Sequence, residues 1–160
     1  MLIVTSSDYL WFVDQALNEM VAIIRQLGDE RVNRRPGPEG ANSPYVILTH
    51  CLGVMEYWGG LFVAGRGVDR DRDAEFRAQG SAADLIARVA EARRRLEADL
   101  ALADPAAVPR HSPNPEDADL PLGQSQGGVL LHIYEELAQH LGQMEVTRDV
   151  ILATDSNPRS

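Results

Sequence analysis

Residues 131–150, "LHIYEELAQHLGQMEVTRDV", decide how the chain is read. Apolar residues recur at three- and four-residue steps, so the stretch is predicted to be an amphipathic helix. With Leu137 at the centre of the apolar face, Leu130, Ile133, Leu141, Met144 and Ile151 fall within about 40° of it. His132, Glu136 and His140 recur every four residues beside that stripe. His140 lies about 60° from the centre, Glu136 about 100° and His132 about 140°. Glu136 and His140 are therefore nearest the core and one turn apart, as an i, i+4 pair must be to share a metal. His132 diverges furthest and is read as a non-ligand, either beside Glu136 or exposed.

Working outward, three more helices are expected. One runs from about Ser7 to Leu27, with Leu10, Val13, Leu17, Met20, Ile24 and Leu27 in step and Gly28 as its stop. Ser43 and Pro44 supply an N-cap and a first-turn proline for the next, which ends near Gly65. The third spans about Ser81 to Ala103, with Leu85, Val89, Leu96 and Leu100 on one side. The fourth spans about Gly128 to Ala153, and "TDSNPRS" reads as a frayed tail. Residues 65–73, "GRGVDRDRD", read as a charged connection. Asp104 to Gln126 carries five prolines without periodicity, a long loop of the kind that is often functional. With no convincing strand and no internal repeat, the chain is predicted to be an all-α four-helix bundle, one domain over residues 1–160.

Composition narrows the function classes. The formal charge of −9, from 24 acidic and 15 basic residues, argues against a nucleic-acid partner. Arg93-Arg94-Arg95 is flanked by Glu91, Glu97 and Asp99 and is read as a solvated helix face. A single cysteine, Cys51, leaves no disulfide and no Cys-rich zinc site, in keeping with a cytoplasmic protein. Residues 1–12 have no basic lead-in before their apolar residues, so no secretory signal is expected. Residues 44–65 are apolar enough to suggest a membrane span. His50, Glu56 and the internal glycines Gly53, Gly59 and Gly60 argue instead for the most buried helix of a bundle, with no membrane partner.

In that buried helix His50 shares a direction with Val46, Val54, Tyr57 and Leu61, pointing into the bundle. A buried imidazole needs a partner. Glu136 and His140 would supply one by sharing a metal, and His50, Glu136 and His140 make two imidazoles and one carboxylate. Three protein ligands leave a coordination position open, the pattern of a catalytic site. Zinc fits best, then nickel, with iron(II) sharing the preference for two histidines and one carboxylate. Spacing alone favours a blander reading, in which both histidines are core residues hydrogen-bonded to Glu136 or to backbone.

The residues of "LHIYEELAQHLGQMEVTRD" also resemble the last bundle helix of the DinB-like superfamily. The match lies in His132, the Glu136 and His140 pair, Gly142-Gln143 and Arg148. "SPYVILTHCLGVMEYW", with His50 followed eight residues later by Trp58, is similar to that family's second helix. The branch it resembles includes the N-terminal domain of mycothiol-dependent maleylpyruvate isomerases, and the likeness covers roughly residues 5–153. It implies that His50, Glu136 and His140 bind a divalent metal, usually zinc or nickel. Those isomerases carry a second, C-terminal domain, absent from these 160 residues, so isomerase activity is not expected. Branch members often have histidine where Gln143 stands.

The expected activity is metal-dependent S-transfer from a low-molecular-weight thiol, mycothiol favoured, to an electrophilic small molecule, as in detoxification. Gln143 would orient a water or a thiol amide, unless it is a solvated polar residue. Tyr57, Trp58 and the 104–126 loop would wall the pocket, although such aromatics are often simply core. Arg148 is expected in a salt bridge, Cys51 as a small buried residue and His111 as a surface histidine. A homodimer through exposed helix faces would follow from the resemblance. The alternatives are a non-catalytic metal-binding stress or sensor bundle and a metal-assisted hydrolase.

Overall fold

A computed structural model describes residues 4–37 and 39–156. Among these residues the fold is all-α, with no strand. Helix α1, Ser6–Val32, opens on a capping box in which Thr5 Oγ1 accepts from the Asp8 backbone N–H at 3.1 Å. The Asp8 carboxylate in turn accepts from the Thr5 N–H at 2.9 Å, so two of the free amides at the helix start are satisfied. Val13, Leu17, Met20, Ile24 and Leu27 are buried as their periodicity requires, and Leu10 is half-buried. Gly28 was expected to stop the helix. It kinks it instead, at a φ of 62° that glycine adopts without a Cβ penalty, and helix resumes to Val32.

Helix α2, Pro44–Val54, begins on Ser43, whose hydroxyl accepts from the Val46 N–H at 3.2 Å. From Met55 to Ala64 the chain continues as a π-helix, closed by Gly65 in the left-handed conformation with its N–H on the Gly60 carbonyl. The wider winding rotates the downstream face. Tyr57 and Leu61, expected on the His50 stripe, are only half-buried, while Trp58 and Phe62 fill the core. Pro44–Ala64 has the length and apolarity of a membrane span, yet 78% of its most apolar window is packed inside the protein.

The charged connection after Gly65 holds an unexpected turn of helix, α3, Arg72–Glu75, capped by the Asp71 carboxylate on the Ala74 N–H at 2.9 Å. Helix α4, Ala82–Leu100, is capped by Ser81 and ends three residues before the expected boundary, burying Leu85, Val89, Leu96 and Leu100. The following loop also contains a short helix, α5, Pro121–Gln124. That loop is tied down by the Arg110 N–H on the Phe62 carbonyl at 2.7 Å and by Gln126 on both Asp104 and Val108.

Helix α6, Gln126–Ser156, buries Leu130, Ile133, Leu137, Met144 and Ile151. Its end is not frayed through Ser156, because Asp155 pairs with Arg31 at 2.5 Å and with Arg34. Asn157 to Ser160, the rest of the expected tail, lie outside the described residues. In the bundle α1 packs on α4 and α6, α2 on α6, and the π segment on α4 and α6. This sets α2 and α6 side by side, the arrangement the site needs. The arginine run is engaged with carboxylates: Arg93 with Asp14 and Glu97, Arg94 with Glu91, Arg95 with Glu91 and Glu56.

Candidate metal centre

His50 is buried on the side of α2 that faces α6, where Glu136 and His140 stand half-buried one turn apart. His50 Nε2 lies 3.3 Å from Glu136 Oε2, and His140 Nε2 lies 3.5 Å from the same oxygen. One donor atom from each of the three side chains falls within 4.8 Å of the others. Ligands about 2.0–2.1 Å from an ion at tetrahedral angles stand about 3.4 Å apart. The two contacts to Glu136 already have that spacing. The donor set of two neutral-capable imidazoles and a carboxylate suits zinc, nickel or iron(II).

The electrostatics match a cation site. Hydrogen bonds from His140 and His50 hold the Glu136 carboxyl far below the ordinary carboxylate range, so the group is an anion. The carboxylates of Glu136 and Glu75 raise the His50 imidazole, against the opposing effect of burial. Each histidine also has its outer nitrogen occupied. His50 Nδ1 lies 3.0 Å from Glu75 Oε2, and His140 Nδ1 lies 2.8 Å from Gln143 Oε1. An Nδ1–H donated to such an oxygen leaves the Nε2 lone pair for a metal, the usual second-layer arrangement around metal-bound histidine.

A cavity of about 550 Å³ opens beside the trio, lined by His50 and Glu136, by Tyr57 and Trp58, and by Arg70 and Arg72. Asn114 and Glu116 reach it from the 104–126 loop. Tyr57 and Trp58 are thus at once packed and pocket-lining. His132 is outside the trio: its ring meets Trp58 edge-on at 5.0 Å, on the cavity wall. Gln143, expected to orient a water or a thiol amide, has its oxygen on His140 and is not among the residues lining this cavity. Arg148 pairs with Asp149 at 2.8 Å. Cys51 is fully buried, as expected of a small core residue, and burial pushes its thiol pKa up, away from the thiolate form. His111 packs edge-on against Phe62 at 5.3 Å.

Sequence reasoning missed Arg70 and Arg72, which lie in the charged connection, and Glu75 just beyond it. One signal was available. Gly53 stands three residues after His50 in an otherwise large-residue buried helix, a position where glycine often marks a close approach.

The family model described as Mycothiol-S-transferase matches residues 9–153, nearly the whole chain. No curated protein and no solved structure matches it.

Proposed function

The chain belongs to the mycothiol-S-transferase family, a DinB-like family, and from that membership we propose a divalent-metal-dependent thiol S-transferase. It would join mycothiol, as co-substrate, to an electrophilic small molecule. The observation that carries the metal is the approach of two imidazole Nε2 atoms to one carboxylate oxygen at 3.3 and 3.5 Å. His50, Glu136 and His140 would hold the ion, zinc before nickel and iron. A divalent ion there would lower the pKa of a thiol bound to it, and a thiolate is a better nucleophile than a thiol.

The chain's own residues would do the rest. Val54, Tyr57 and Trp58 give the cavity one apolar wall, against which the electrophile would pack. Arg72 makes no ion pair among the described residues and stands at the cavity with its guanidinium 5.3 Å from the Phe76 ring. It would meet an anionic group on the electrophile. Gln143 would serve by holding His140 through its amide oxygen. In the transfer the S–H proton passes to solvent, the sulfur–carbon bond forms, and the leaving group departs with its electron pair.

The test is product formation by metal-loaded protein with a panel of electrophiles, with and without mycothiol, read by mass spectrometry. A thioether adduct formed only with both protein and thiol is expected. Turnover without thiol would favour a hydrolase. Stoichiometric metal with no turnover under either condition would favour a sensor.

A further inference from the structure

The outer nitrogen of His50 is held by a device that joins α2 to the stretch from Arg70 to Glu75. Glu75, from α3, brings Oε2 to 3.0 Å from His50 Nδ1, in a contact where both side chains are 8% exposed. Arg70 grips the same carboxylate in a fork, with Nε 2.7 Å from Oε1 and Nη2 2.9 Å from Oε2. Its guanidinium is also nearly buried and lies over the Tyr57 ring at 5.5 Å.

Gly53 makes the approach sterically feasible. A Cβ at that position would lie 2.0 Å from Glu75 Oε1 and 2.7 Å from its Cδ. His50 and Gly53 are three residues apart on one face of α2, so the carboxylate lies across the bare backbone at Gly53 to reach the imidazole. Every element of the contact is needed for the next: the missing side chain admits the carboxylate, and the arginine fixes its rotamer.

We propose that Glu75, held by Arg70 and admitted by Gly53, is a positioning residue for the metal centre, fixing the His50 ring so that Nε2 faces Glu136 and His140. This rests on the metal reading given above. Arg70 Nη2 is also near Nδ1, at 3.4 Å, but the Glu75 oxygen is closer and is the acceptor that Nδ1–H needs. Glu75 cannot be a fourth ligand beside Nε2, because it occupies the opposite nitrogen of the same ring. It therefore acts through His50, setting ring orientation and ligand basicity.

The experiment measures zinc affinity by chelator competition, and the visible spectrum of the cobalt-loaded protein, for wild type, Glu75→Ala, Glu75→Gln, Gly53→Ala and His50→Ala. Circular dichroism and Tm are recorded alongside. Glu75→Ala and Gly53→Ala are expected to bind zinc about 10- to 100-fold more weakly, with an altered cobalt spectrum. Glu75→Gln keeps an acceptor oxygen without the charge and should fall between them and wild type. Gly53→Ala needs only the carboxylate end of Glu75 to swing away, so it tests the contact even where Glu75→Ala, which leaves Arg70 unpaired, does not fold.

Wild-type affinity and an unchanged cobalt spectrum in folded Glu75→Ala or Gly53→Ala overturn the proposal, even if Tm falls, because a purely structural bond would move Tm alone. Failure of the metal reading looks different. Wild type would then bind no more zinc than His50→Ala, and this inference would fall with it.

Discussion

His50 and Glu136 are 86 residues apart in the chain and meet at 3.3 Å, Nε2 to Oε2. Nothing local imposes that contact: His50 rides on α2, Glu136 on α6, and only the packing of the two helices closes the gap. Residues that bear on this contact, or on the frame around it, carry the following expectations.

His140→Ala should lower bound metal from about one ion per chain to near zero, since two protein ligands rarely retain a divalent ion against chelators. Elemental analysis of the purified variant beside wild type measures this. His132→Ala should keep its ion, because that ring packs on Trp58 rather than joining the trio. Equal metal loss in both variants would show that the trio is wrongly drawn.

Gln143→Leu removes the oxygen that lies 2.8 Å from His140 Nδ1 while leaving an exposed position of similar size. Zinc affinity should drop about 10- to 100-fold with little change in Tm. Chelator competition and thermal melts on the same sample separate the two effects. Unchanged affinity would reduce Gln143 to a surface residue.

Gly128→Ala should destabilise without touching His50, Glu136 or His140. Its Cβ would lie 1.9 Å from the Pro121 carbonyl oxygen and 2.9 Å from the Leu122 nitrogen, both backbone atoms that cannot swing aside. The cost of such overpacking is about 1–3 kcal/mol. At this chain length each kcal/mol is worth about 2–4 °C of Tm. Calorimetry giving a wild-type Tm would mean that α5 is loosely seated on α6.

Arg66→Met breaks a cluster in which one guanidinium binds Glu56 and forks onto the buried Asp99 at 2.9 and 3.0 Å. Removing one partner from a buried pair costs about 3–5 kcal/mol, and partial exposure of Arg66 should reduce that to about 2–3. The bond from Arg66 holds the Glu56 carboxyl below its ordinary value. Its stabilisation is therefore fully present above the unfolded carboxylate pKa, about 4.3, and is lost as pH falls through the folded value. Urea melts between pH 7 and pH 3 should show that loss in wild type and a flatter profile in Arg66→Met.

The sequence by itself determined the bundle and named the three side chains, His50, Glu136 and His140, that meet at the candidate site. Apolar spacing is a one-dimensional signal, and it placed the four long helices, the Ser43 and Ser81 starts and the inward side of α6. An i, i+4 pair such as Glu136 and His140 is fixed by helix geometry alone, and a histidine inside an apolar helix signals a buried partner. Only the tertiary structure decided what surrounds them. The π segment that exchanges Tyr57 for Trp58 in the core depends on packing and on the Gly65 cap, not on any period in the residues. Glu75 and Arg70 carried no sequence signal because their partners, His50, Gly53 and Tyr57, lie in another stretch of helix. Charge in a short loop has no periodicity to report its direction, so its role became visible only once α2 and α3 were packed together.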